Sequence, residues 1–395
     1  MTEQTPKKSE EKLCALCPKL CRFSCPVTSG TADESATPTA MMELLLNARS
    51  GNLDWEEAAE ILQRCTGCEA CRVPCEYDQD VPELLYGARA EAWTAVGPPS
   101  GLQALHETHL QTGNPFGADL KEILQKETQP EDFNRKGRVL YWPGCRGLSE
   151  QGDRLGKEMR LLRLLGAEHV SLPSREDVPG CCGGALRAMG DRLGLQSSAA
   201  GLQQYFNRQR TWVSASATCV HTLRQGYPSV GIRINAEVLH LGQYLLFFRS
   251  KLEELGRSAA EHRAAMGIPN PQVFLHSSCT LHRRLGRAEP TTEAITAMLG
   301  EAPLPLPPGP DRSTCCGAGD FHDLRRPEAA SEVASWSAEQ SPIPSGSWLI
   351  TGDSSCRNAL EVGYGPNIRV FDLMGFLLAW LEPVLSEASE SAPNS

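Results

Sequence analysis

The sequence predicts an α-helical N-terminal domain followed by two duplicated α/β domains, all three rich in cysteine. Three observations carry this expectation. Eight of the sixteen cysteines fall in two dense runs before residue 76. The other eight lie between residues 145 and 356, in two sets with matching spacing. Within each of those sets short β-like runs alternate with helix-like runs, the pattern of a mostly parallel sheet with helical crossovers. At 395 residues the chain has room for two or three domains that each bury a core.

Composition narrows the function classes. Hydrophobic residues at 41% and charged residues at 22% fit a folded globular chain and exclude wholesale disorder or a collagen-like fibre. Cysteine, at about 4% of the chain, is too sparse for the disulfide scaffolds of short secreted proteins, which exceed roughly 8%. The start MTEQTPKKSEEK has no apolar run after its lysines, so the expectation is a chain that is not exported and is cytoplasmic. Many cysteines in such a chain point to metal or redox chemistry. A net charge of −10 argues against nucleic acid, whose phosphates need clustered positive charge. The longest apolar stretches, LLFF at 245–248 and a broken run from Val370 to Leu381, fall short of the ~20 residues that span a bilayer. No transmembrane segment is expected, and a peripheral contact through an amphipathic helix stays open.

After an expected disordered tail at 1–12, the helical domain covers 13–100. Its first run, CALCPKLCRFSCP, carries Cys14, Cys17, Cys21 and Cys25 before Pro26. Its second, CTGCEACRVPC, carries Cys65, Cys68, Cys71 and Cys75. Between them Asp54 and Glu57 make an Asp-x-x-Glu start ahead of Trp55, Ala58, Ala59 and Leu62, a capped helix. Val81, Leu84, Leu85, Ala88 and Ala92 then repeat at helical spacing. GPPSG at 97–101 is an exit turn, and 101–137 reads as a poorly patterned linker.

The two runs follow C-x2-C-x2-C-x3-C-P, in which three cysteines hold the near cluster and the fourth reaches a second one. On that pattern Cys14, Cys17, Cys21 and Cys75 hold one [4Fe-4S] cluster, and Cys65, Cys68, Cys71 and Cys25 hold the other. Three residues instead of two separate Cys17 from Cys21, and Pro74 and Glu76 flank Cys75. The alternative reading is a pair of zinc sites, since CxxC pairs also bind zinc. Lys19, Arg22 and Arg72 lie between ligands, where positive charge would stabilise a reduced cluster; the alternative is that they are ordinary solvated side chains.

The duplicated region divides into 138–260 and 261–386, with a polar tail at 387–395. Cys145 is followed after 35 residues by Cys181 and Cys182, then after 36 by Cys219. Cys279 is followed after 35 residues by Cys315 and Cys316, then after 39 by Cys356. Glycine follows each vicinal pair, in CCGG at 181–184 and CCGAG at 315–319, where a positive φ would let both thiols face one site. RVLYW (138–142), HVSL (169–172) and TWVSAS (211–216) read as strands of the first half, separated by helices. Each first cysteine follows an apolar run, VLYWPGC or VFLHSSC, so the cysteines sit beyond strand ends, where open α/β sheets bind ligands. Behind each last cysteine comes a helix-like segment, VLHLGQYLLFF or VFDLMGFLLAW, and PLPLPPGP at 303–310 reads as a stiff loop. The vicinal pairs point to a metal or redox role, with a strained disulfide or buried free thiols as the alternative. His221, His276, His282 and His322 lie close to these cysteines and are read as structural.

A two-cluster ferredoxin-type head followed by two CCG cysteine-rich domains resembles the iron–sulfur subunit of glycolate oxidase. It is also similar to the anaerobic glycerol-3-phosphate dehydrogenase small subunit and to heterodisulfide reductase subunits. HSSCTLHRRLG at 276–286 and CCGAGDF at 315–321 carry the resemblance most specifically, and it covers about 13 to 385. It implies a helical ferredoxin domain, two [4Fe-4S] clusters, and a further cluster or metal on Cys145, Cys181, Cys182 and Cys219 and on Cys279, Cys315, Cys316 and Cys356. It implies an electron-transfer subunit working with an FAD-dependent dehydrogenase that oxidises a small 2-hydroxy acid or glycerol 3-phosphate. The acceptor would be a quinone or another membrane-associated carrier at the inner face of the membrane. One departure separates this chain from heterodisulfide reductase subunits: Thr222 and Ala359 stand where those end each motif in CxxC. With no GxGxxG, P-loop or nucleophile triad, substrate chemistry is expected in the partner. A catalytic subunit acting on thiols or disulfides is the alternative, and a metal-dependent scaffold is a third reading.

Overall fold

A computed structural model describes residues 10–133, 138–167, 169–173, 178, 180–208, 210–310 and 312–385. The tail residues 1–9 and 387–395 lie outside the described residues, and residues 10–12 open a helix, Glu10–Leu16.

Eight strands form two four-stranded sheets, all parallel. The first sheet holds β1 (Val139–Trp142), β2 (Val170–Ser171), β3 (Thr211–Ser214) and β4 (Glu237–His240), in the order β2-β1-β3-β4. The second holds β5 (Val273–His276), β6 (Leu304–Pro305), β7 (Trp348–Thr351) and β8 (Arg369–Asp372), in the order β6-β5-β7-β8. The register repeats as well: Val139 pairs with Thr211 as Val273 pairs with Trp348. The duplication inferred from cysteine spacing is therefore a duplication of topology. In both sheets the winding reverses between the two central strands, and the side chains that follow those strands meet at the reversal.

Four local expectations change. The segments behind each last cysteine are not helical throughout: β4 and β8 form first, and helices Leu241–Leu245 and Leu373–Trp380 follow. His240 and Asp372 end the strands by capping those helices, accepting from the backbone N–H of Gly242 and Gly375. Part of the proline-rich loop is β6, which tolerates Pro305 because it is an edge strand. The linker holds helices Gln103–Thr112 and Leu120–Glu127, and Leu124 is fully buried in the core of the first half. Asp54 does precede a helix, Trp55–Leu62, but caps no backbone N–H with its side chain.

The two halves share one core. Tyr141, Trp142 and Trp212 of the first pack in the same cluster as Trp348, Phe376 and Trp380 of the second. The N-terminal helices bury Met41, Met42, Leu45, Ala58, Leu62, Leu85 and Ala88 around a separate centre, into which Val333 of the second half inserts. Gly30 makes that insertion possible, since a Cβ there would lie 2.8 Å from the Val333 Cα. The helical domain also meets the first half, where Gln63 and Arg89 donate to the carbonyls of Met189 and Ala188, so it bridges both halves.

Candidate functional site

The second N-terminal run winds through a short helical turn, Ala70–Arg72, and the first through Leu20–Ser24. Cys25, Cys65, Cys68 and Cys71 line one small cavity, so the fourth cysteine of the first run faces the three leading cysteines of the second. Burial pushes the Cys65 thiol up to about 12. Cys21 is pushed up to about 11, by burial first and then by the charges of Cys17 and Cys75, so Cys75 lies beside the first run. Cys17 donates to the Cys14 carbonyl at 3.2 Å and accepts from the Lys19 backbone N–H at 3.4 Å. Each run therefore lends its last cysteine to the neighbourhood of the other.

In the first half, Cys145 lies in helix Gly144–Gln151 after β1, and Cys219 in helix Ala217–His221 after β3. Both therefore stand at the winding reversal. Ser216 starts the second of these helices by accepting from the Cys219 backbone N–H. The vicinal pair precedes helix Gly184–Met189, and the Gly113 carbonyl in the linker receives the Cys181 N–H at 2.9 Å. The four sulfurs form a chain of contacts. Cys145 donates to Cys181 at 3.5 Å, and Cys182 is hydrogen-bonded by both Cys181 and Cys219. Those two donors hold the Cys182 thiol well below its ordinary value, while Cys181 and Cys219 are raised by the same contacts. The Tyr227 hydroxyl is buried against this set with no partner, its ionisation opposed first by burial and then by Cys182, Cys181 and Cys219.

The second half repeats the chain. Cys316 is held down by hydrogen bonds from Cys315 and Cys356, and both donors are raised. Gly183 and Gly317 have φ of 78° and 93°, the left-handed turn that the CCG glycine was expected to supply. Asp353 caps helix Ser354–Tyr364 at the place Ser216 holds in the first half, and it also accepts from the Thr218 hydroxyl at 3.2 Å. Among the described residues, no three His, Cys, Asp or Glu side chains converge as they would around a single metal ion. Iron–sulfur clusters take thiolates in fours, and these thiol-only sets, one around a cavity and one facing an orphaned phenol, fit that donor chemistry.

Residues 139–224 and 273–361 match the family described as "Cysteine-rich domain", CCG. The match falls once in each half of the duplicated region. The chain is also similar to a subunit of the fumarate reductase (CoM/CoB) of Methanothermobacter marburgensis, 24% identical over 325 residues. That match covers 81% of this chain and 61% of the relative's length.

The second cysteine-rich domain meets the N-terminal sulfurs. Cys68, Cys279 and Cys315 pack as one buried cluster, and a hydrogen bond with Cys315 is the main reason the Cys68 thiol is held below its ordinary value. The cations expected to face the N-terminal sulfurs turn elsewhere: Lys19 pairs with Glu43, Arg22 with Glu34 and Arg72 with Asp78. Buried arginines take that place. Arg89 and Arg325 both donate to the Cys65 carbonyl, at 2.9 and 3.0 Å, and Arg283 donates to the Cys68 carbonyl at 2.7 Å. Arg284 pairs with Asp320 at 2.8 Å, and Tyr86 bonds to both. Composition and spacing held no signal for these arginines beyond the RR of HSSCTLHRRLG. Three nearby histidines are hydrogen-bonded within the fold: His276 bonds Thr351 and the Thr314 carbonyl, His221 bonds Gln225, and His322 bonds the Gly317 carbonyl.

Proposed function

We propose that the chain is an iron–sulfur electron-transfer subunit of an oxidoreductase. The supporting observation is the contact between Cys68 and Cys315, which joins an N-terminal sulfur set to a cysteine-rich domain with no polypeptide between them. Bound clusters would supply one-electron storage at these sulfurs. Cys14, Cys17, Cys21 and Cys75 would hold one [4Fe-4S] cluster, and Cys25, Cys65, Cys68 and Cys71 a second. The chains Cys145–Cys181–Cys182–Cys219 and Cys279–Cys315–Cys316–Cys356 would hold further iron. Burial at the half-domain sulfurs keeps water away, and the arginines at Cys65 and Cys68 oppose the accumulation of negative charge. The partner is an FAD-dependent dehydrogenase for a 2-hydroxy acid such as glycolate or lactate, or for glycerol 3-phosphate. The acceptor is a quinone or another carrier at the inner face of a membrane. No helix among the described residues is long and apolar enough to cross one.

A second reading has support of its own: catalysis on thiols or disulfides at the first cysteine-rich domain. Cys181 and His109 line an open cavity of about 340 Å³, and the relative's name refers to CoM and CoB. Anaerobic purification with iron and acid-labile sulfide counting tests both readings. About eight irons are expected from the N-terminal sets alone, and zinc without sulfide would remove both. A co-purifying flavoprotein that reduces the chain supports the first reading. Disulfide reduction by the isolated chain supports the second.

A further inference from the structure

Arg283 stands four residues after Cys279, in the helical turn Thr280–Arg284. In the first domain the same position after Cys145 is Ser149, whose hydroxyl donates to the Cys145 carbonyl at 2.8 Å. At this position the duplicated fold carries a guanidinium in one copy only; the first domain's buried Arg146, next to Cys145, pairs with Glu150 and Asp323 instead. Its plane is fixed at both ends, with Nε donating to the Cys68 carbonyl at 2.7 Å and Nη1 to the Ser313 carbonyl at 3.1 Å. The remaining nitrogen, Nη2, is buried and has no hydrogen-bond partner. A buried donor left unspent is costly, and the guanidinium that carries it is tied to the carbonyl of Cys68, a residue of the buried Cys68, Cys279 and Cys315 cluster. Burial opposes the Arg283 charge, while Cys68, Cys279 and Cys315, followed by Glu69, hold its pKa above the ordinary arginine value.

We propose that Arg283 is a positioning residue shared by two sulfur sets, its Nη2–H donating to sulfur where Cys68 meets Cys315. The inference rests on the reading that those sets hold iron–sulfur clusters. Hydrogen bonds and positive charge at cluster sulfurs favour the reduced state. Arg283 accordingly raises the reduction potentials of the Cys25/Cys65/Cys68/Cys71 set and of the second-domain set together. The first-domain set, with Ser149 at the equivalent position, serves as the internal reference.

The test is an EPR-monitored redox titration of the full chain, purified anaerobically, comparing wild type with Arg283→Gln and Arg283→Lys, with iron and sulfide counted in each. Cys71→Ser, Cys316→Ser and Cys182→Ser assign the signals. In R283Q both shared signals are expected to shift to lower potential at unchanged iron content, with the first-domain signal unmoved. R283K, which keeps the charge but loses the planar fork, is expected to shift both in the same direction by less. Unmoved potentials at full iron content, or a shift in one shared set alone, would overturn the proposal. If R283Q loses iron, R283K decides by the same criteria. A wild-type chain without iron and sulfide would instead remove the reading beneath it.

Discussion

Asp353 and His240 illustrate how single buried groups set the pH response. Burial pushes Asp353 up to about 6, and burial pushes His240 down to about 4. An acid with a raised folded pKa contributes stability that is present below about pH 4 and lost as pH rises through 6. A histidine with a depressed pKa contributes in the opposite sense: its stability is present above about pH 6.5 and lost as pH falls towards 4. The two oppose each other across that window. Asp353→Asn keeps the carbonyl oxygen that caps Ser355 and removes the ionisation. The variant is expected to be more stable than wild type at pH 7, by on the order of 2–3 kcal/mol, and equal to it near pH 4. Melting temperatures across pH 4–7 check this, and a parallel wild-type profile would refute it. Individual side chains were also the least legible in the sequence. Lys19, Arg22 and Arg72 stand beside cysteines in the chain but bond to carboxylates, whereas Arg89, Arg283 and Arg325 arrive from elsewhere. Proximity along a chain carries no information about which way a long side chain turns.

Among elements, the turns and caps that present the sulfurs were the most legible part. Glycine after a vicinal pair is a local requirement, written in adjacent letters, and both copies meet it with positive φ. Gly317→Ala is expected to cost more than the ~1–2 kcal/mol of a left-handed alanine, because its Cβ would also lie 2.4 Å from the Ala330 carbonyl oxygen. Chemical denaturation measures it, and a cost under about 1 kcal/mol would show that the turn can relax. Ser216→Ala removes the cap above Cys219 and is expected to cost about 1 kcal/mol, with increased amide exchange confined to helix Ala217–His221. Strands β4 and β8 look helix-like in the sequence because Val-Leu and Val-Phe runs suit either state when short. What decides them is pairing with β3 and β7, which no local window contains.

Over the full chain, the repeat showed in the sequence and the docking did not. Matching cysteine offsets are a one-dimensional signal, and the matching sheet orders follow from them. How the helical domain meets the second half depends on Gly30 meeting Val333 and on Arg325 reaching Gln63 and Cys65, contacts that span about two thirds to three quarters of the chain. A fragment ending at residue 100 lacks Arg283, Arg325 and Val333. Loaded with the proposed clusters, it is expected to lose iron from Cys25, Cys65, Cys68 and Cys71 faster in air than the full chain does, with the other N-terminal set less affected. Iron release followed by absorbance checks this, and equal rates would show that the helical domain is self-sufficient.

The reach of Arg325 back to Gln63 and Cys65 also bears on synthesis. A chain made from its N-terminus exposes the Cys65–Cys71 loop long before residue 325 exists. At ~5–20 residues per second the wait is on the order of 10–50 s. During that interval the loop is open to solvent, to oxidants and to whatever delivers iron. Translation thus gives this set of thiols a delivery window that closes when the second half folds over it.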